Sequence, residues 1–231
     1  MLVDAFKNWS KYSYMSFMLG AGLIIGQTLA FKFEWSHIFT MVASLLGYLS
    51  VTLIVNNKRL NGWAGLISAA MFFYIGIKAG NPADAILNAA FIVMLDLPVI
   101  LSKKWGDTSK VRKINESKNP LFWWIITPLI FIIIFLLFYF MEIRLQTPRP
   151  VIDSLAASLG LTASILTVAQ ISDSFYIWAI QNVMQAILWG ITFIQGDATM
   201  IMMVMYIMYT LNSAVSFIDS PWFVKEMRNV K

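Results

Sequence analysis

Long apolar runs recur along the whole chain, separated by short stretches rich in charge, Gly, Pro and Asn. Each run approaches the ~20 residues with which a helix crosses a bilayer. The pattern predicts eight spans, at about 14–32, 36–56, 62–78, 84–101, 121–141, 151–169, 175–194 and 199–219. The third is short and holds Gly62, Gly65 and Gly76, with Lys78 at its end, placed to snorkel to the interface. The fourth carries Asp84, Asn88, Asp96 and Pro98, which a helix facing only lipid avoids. The first run has no small-residue cleavage site after it and is followed by many more spans, so it reads as a helix rather than a leader.

Composition agrees. The 231 residues are 59% hydrophobic and 13% charged, against about 25% charged in a soluble domain. The expected fold is an all-α integral membrane bundle in contact with the lipid bilayer. With no cysteine, disulfides, thiolate metal sites and cysteine nucleophiles are excluded. The single histidine, His37, sits near a helix start and reads as a solvated end residue, so neither a metal nor another cofactor is expected. No Ser/His/Asp set, HExxH or Gly-rich phosphate loop appears, which argues against an enzyme.

The net charge of +5 is no nucleic-acid signal, because it lies in loops between the runs. Lys7, Lys11, Lys58, Arg59, Lys103, Lys104, Lys110, Arg112, Lys113, Lys118, Lys225, Arg228 and Lys231 fall on one side of the predicted topology. Only Lys32, Lys78, Arg144 and Arg149 fall on the other. The positive-inside rule places both termini in the cytoplasm, as an even number of spans requires. The basic loop 103–119 reads as a solvated, flexible connector.

An internal repeat follows. Trp63 recurs as Trp178, Gly80 as Gly196 and Asp96 as Asn212, at separations of 115, 116 and 116 residues. Because one helix links them, the two three-helix units start on the same side and are parallel repeats about an axis along the membrane normal. The predicted organisation is an extra N-terminal helix in 1–35, a first repeat in 36–105, a loop and linker helix in 106–145, a second repeat in 146–220 and a cytoplasmic tail in 221–231.

The seventh span carries the strongest candidate chemistry. Trp178, Asn182, Gln185 and Trp189 share one helical face, flanked by Gln181. Amides in hydrocarbon need partners or a cavity, and indoles stack on rings or attract cations. The stripe therefore suits a neutral or cationic aromatic ligand; the competing reading is hydrogen-bonded glue between helices. Trp189 also fits an interfacial belt. The eighth span adds Tyr206, Tyr209, Asn212, Ser213 and Ser216, and the first repeat adds Asn88, Trp63 and Asp96. Asp96 has two further readings: an ion pair or cap near Lys103, or a proton-coupling group. Asp153, just after Pro150, reads as a helix N-cap.

These residues resemble the PnuC family of vitamin-precursor transporters. The resemblance runs through Ile152-Asp153-Ser154, the stretch FYIWAIQNVMQAILWGITFIQG at 175–196 and MYTLN at 208–212. Trp178 and Asn182 match the second Trp and the Asn of the family's W-x-x-W-x-x-x-N stretch, whose first Trp is Phe175 here. LNGWAGLISAAMFFYIGIKAG at 60–80 and Asn88 extend it to the first repeat. Where the family has a polar residue, Gly-Trp and another Trp, this chain has Leu95, Asp96, Leu97, Pro98 and Trp105. The resemblance implies a SWEET-like 3+1+3 fold, a homotrimer in the bacterial inner membrane, and facilitated diffusion of nicotinamide riboside, trapped inside by a cytoplasmic kinase. Trp63, Asn88, Trp178, Gln181, Asn182, Gln185, Trp189, Tyr209 and Asn212 are the expected substrate contacts. Thiamine or a related vitamin or nucleoside is the alternative cargo. A non-transporting scaffold or a membrane-embedded enzyme is the alternative of another class.

Overall fold

The computed structural model describes residues 5–30, 34–102, 105, 107 and 110–224. Eight long helices account for most of them: α1 Lys11–Ala30, α2 Trp35–Val55, α3 Asn61–Lys78, α4 Pro82–Leu101, α5 Pro120–Leu145, α6 Pro150–Val168, α7 Ser174–Ile194 and α8 Met200–Ile218. All but α3 are long and apolar enough to cross a membrane; α3, with 18 residues, is the shortest. Proline opens α4, α5 and α6, where its missing N–H costs nothing and its fixed φ suits the first turn.

Six helices close into a ring in which each packs on the next: α2, α3, α4, α6, α7, α8 and back to α2. A pseudo-two-fold axis through the ring exchanges α2 with α6, α3 with α7 and α4 with α8. The two remaining helices obey the same axis. α1 lies against α2 and α8, and α5 lies against α6 and α4. The N-terminal helix and the linker helix thus each flank one three-helix unit. The starts agree: α2 opens at Trp35 and α6 at Pro150. The turns agree as well. Asn57 and Gln170 both have positive φ, as do Gly80 and Gly196.

α5 has the most lipid-facing surface. Only 6% of its apolar window is buried, against 67% for α6. A helix apolar all round needs no protein partner in hydrocarbon, and along α5 the buried exceptions are Phe138 and Glu142.

α4 is not regular. Ile92–Asp96 forms a π turn in which the Leu97 N–H reaches the Ile92 carbonyl, five residues back. Pro98 has no N–H and in a regular helix its ring would meet the Met94 carbonyl, so the wider turn relieves the clash. The bulge is also an insertion. α4 has 20 residues where α8 has 19.

The basic loop is better anchored than a flexible connector, in its described part. The Arg112 N–H donates to the Gln170 carbonyl at 3.1 Å, the Ser172 N–H to the Arg112 carbonyl at 2.9 Å, and the Ile114 N–H to Asp173 Oδ2 at 2.8 Å. Val111, Ile114 and Trp105 are buried. Of the basic residues counted for topology, Lys32, Lys103, Lys104, Lys225, Arg228 and Lys231 lie outside the described residues, as does the end of the tail.

Candidate functional site: a central polar and aromatic cavity

The ring encloses a cavity of about 90 Å³. α2 contributes Gly47, Ser50 and Val51; α3 contributes Gly65, Ser68 and Phe72; α4 contributes Asn88, Phe91 and Asp96. The second repeat supplies Trp178, Gln181 and Asn182 from α7, and Tyr206, Tyr209, Asn212 and Ser213 from α8. Toward the basic loops it is walled by Ile54, Val55, Leu95 and Phe175. Those four belong to an apolar cluster that includes Trp105 and Trp222.

α6 contributes nothing to the lining but fixes one member. Its Thr167 Oγ1 accepts the Trp178 indole N–H at 2.9 Å, which leaves the ring face beside Phe91, at a centroid separation of 5.7 Å. Tyr209 stacks on Tyr48 and meets Tyr206 edge-on. Asn182 donates to Ser213 Oγ at 3.1 Å, and that hydroxyl donates to the Tyr209 carbonyl at 3.1 Å. Asn88 donates to the Asp84 carbonyl at 2.8 Å.

Three acceptors on this lining have no hydrogen-bond partner among the described residues: Gln181 Oε1, Asn212 Oδ1 and Asp96 Oδ2. All three belong to buried residues. A buried acceptor left unpaired costs about 1–3 kcal/mol, so the cavity is built to take donors from what enters it, water or solute.

Six of the nine residues expected to contact substrate lie on this lining: Asn88, Trp178, Gln181, Asn182, Tyr209 and Asn212. Three do not. Gln185 is fully buried outside it and donates to Asp84 Oδ1 at 2.6 Å. Trp189 is fully buried among Ile24, Ala43, Tyr48, Ile201 and Met205, so it is a core side chain rather than part of an interfacial belt. Trp63 is 48% exposed and points away.

The reason for Trp63 is register. α3 starts at Asn61 and α7 at Ser174, a separation of 113, which Asn57 and Gln170 share. The Trp63–Trp178 match is two residues longer, and two residues turn a helix by about 200°. The position that shares the place of Trp178 is Gly65. The lining from α2 and α3 was not singled out in the sequence, although Gly65, Ser68 and Phe72 sit at i, i+3 and i+7 on one face. Small residues next to a glycine do not announce a cavity by type.

A second polar cluster lies at the end of the ring away from the basic loops. Asp153 does cap a helix, but that of its neighbour: its oxygens accept the Ala83 N–H at 3.1 Å and the Asp84 N–H at 2.8 Å at the start of α4. Glu142 of α5 accepts the Ala83 N–H at 3.0 Å and the Thr147 hydroxyl. Arg149, almost wholly buried, donates to Asn81 Oδ1 at 2.8 Å, to the Ala79 carbonyl, to Gln195 and to Asp197 at 3.1 Å. It ties together three of the loops at that end. Among the described residues no group of His, Cys, Asp and Glu is arranged to hold a metal ion.

A ring of membrane-spanning helices around a buried polar and aromatic cavity fits one class: a multi-pass membrane carrier. Residues 37–223 match the family described as nicotinamide mononucleotide transporter, and the chain belongs to that family. A curated relative, the nicotinamide riboside transporter PnuC of Neisseria mucosa, is 20% identical over 229 residues, covering 96% of this chain and 85% of the relative. A crystal structure of the vitamin B3 transporter PnuC superposes with a TM-score of 0.74 at 17% identity, covering 96% of this chain and 94% of that one. The likeness in fold thus extends over nearly the whole chain.

Proposed function

We propose that this protein carries nicotinamide riboside across the bacterial cytoplasmic membrane by facilitated diffusion. The observation that carries the reading is the cavity lining: aromatic faces beside three unpartnered acceptors. A pyridinium ring packs against the exposed faces of Trp178 and Phe91, while Gln181 and Asn212 accept from the carboxamide and ribose hydroxyls. Asn182 and Asn88 hold the frame and offer their remaining polar edges. Tyr209 forms the floor. The relative's name supports the cargo, and the match of chain lengths supports the shared carrier unit.

The basic loops and both termini face the cytoplasm in this reading, by the positive-inside argument. The Arg149 cluster then closes the external side, and the Trp105, Phe175 and Trp222 cluster covers the cytoplasmic side. The two repeats rock about the cavity and open these seals in turn. The carrier works as a homotrimer, and a cytoplasmic kinase traps the cargo as its phosphate, so no coupling ion is needed.

Thermal melting of the detergent-purified protein tests the assignment. A ligand of the folded state stabilises it by about 2.7 kcal/mol at a hundred times its Kd. Nicotinamide riboside raises the melting temperature, and Asn182→Leu abolishes the rise. The fold survives that change because Ser213 keeps its bond to the Tyr209 carbonyl. A rise with thiamine alone reassigns the cargo; no rise with either refutes vitamin-precursor binding.

A further inference from the structure

Asp96 is the third of the unpartnered acceptors and the one carboxylate on the cavity lining. It is 3% exposed, and its Oδ2 has no partner. Among the described residues no ion pair or hydrogen bond reaches its carboxylate. The pairing with Lys103 considered from the sequence lies outside the described residues.

Two features of the fold put the carboxylate there. The π turn Ile92–Asp96, forced by Pro98, ends on this residue. Gly65 of α3 makes the room: a Cβ at that position would stand 2.2 Å from Asp96 Oδ1. The space filled by Trp178 in the second repeat is thus filled by a carboxylate in the first. The corresponding turn of α8 carries Asn212 and Ser213, which are neutral.

A buried carboxyl without a partner gains most as a carboxylate when a positive charge enters beside it, so it favours a cation over a neutral solute of the same shape. An amide in its place would keep one acceptor oxygen but not that preference. We infer that Asp96 is the charge-selecting residue of the carrier, pairing with the positive ring of a heteroaromatic cation and discriminating against neutral nucleosides. This rests on the proposed function and deepens it: the substrate class becomes cationic ribosides and related azolium or pyridinium compounds.

The test compares nicotinamide riboside with its reduced 1,4-dihydro form, which keeps the ribose and carboxamide but has no ring charge. Binding of each is measured by titration of the purified wild type, Asp96→Asn and Asp96→Glu. The wild type prefers the cation by about tenfold or more, the factor that a partly screened pair supplies. Asp96→Asn loses that preference by weakening the cation alone, and Asp96→Glu retains most of it. Equal binding of the two forms by the wild type overturns the inference and leaves the proposed function standing, even if Asp96→Asn fails to fold. An unchanged preference in a folded Asp96→Asn also overturns it. Binding of neither form removes the proposed function and the inference together.

Discussion

Arg149→Met tests the seal at the outer end. The guanidinium is almost wholly buried and joins the α3–α4 loop, through Ala79 and Asn81, to the α7–α8 loop, through Gln195 and Asp197. Methionine keeps the length of the stem and removes every donor. Asp197 is about half exposed and is rehydrated at little cost. Asn81 Oδ1 and the Ala79 carbonyl are buried and lose their partner, at about 1–3 kcal/mol each. The closed form of this end therefore loses about 2–6 kcal/mol relative to an open one, in which both acceptors meet water. At 1.4 kcal/mol per decade, that is a shift of roughly 30-fold or more toward the open state.

The chain has no cysteine, so a single introduced thiol reports access without background. Ala69→Cys places it on the cavity lining. A membrane-impermeant maleimide applied from outside labels this thiol faster by at least an order of magnitude when Arg149→Met is added. Unchanged external labelling in a double variant that remains folded would refute the idea that Arg149 holds that end shut.

The opposite seal behaves conversely. Trp222 is fully buried, donates its indole N–H to the Ile54 carbonyl at 2.8 Å and packs on Phe175; Trp222→Ala removes about 3–5 kcal/mol of packing and raises labelling of the same thiol in inside-out vesicles, with no rise from outside. Gly65→Ala pushes a methyl into Asp96, so affinity for nicotinamide riboside in a titration falls by about tenfold while Gly22→Ala, which meets open space, leaves it unchanged. Trp63→Leu, on an outward face, leaves binding within a factor of about two; a large loss would put α3 in another rotation.

Much of this architecture was legible in the apolar pattern, because hydrocarbon demands a length and tolerates few polar groups. The eight spans fall within a few residues of the helices, and Asn182, Gln181 and Trp178 line the cavity as their shared stripe predicts. What the pattern could not supply was rotation and neighbour. Trp63 and Trp178 match by type, yet a two-residue slip turns one of them outward. Gln185 and Trp189 continue the stripe along α7, but the ring closes over them: one meets Asp84 across the bundle, the other the α8 methionines. Asp153 reads as the cap of its own helix because sequence shows only its own chain neighbours, while its bonds run to α4.

The central claim is that this chain lets nicotinamide riboside equilibrate across a membrane through the Asn182 cavity. Uptake of the labelled compound into proteoliposomes tests it most directly. The account predicts saturable uptake that levels off at the external concentration, is indifferent to imposed proton or sodium gradients, and is lost in Asn182→Leu. Accumulation above the external concentration, or undiminished uptake by that variant, would contradict it.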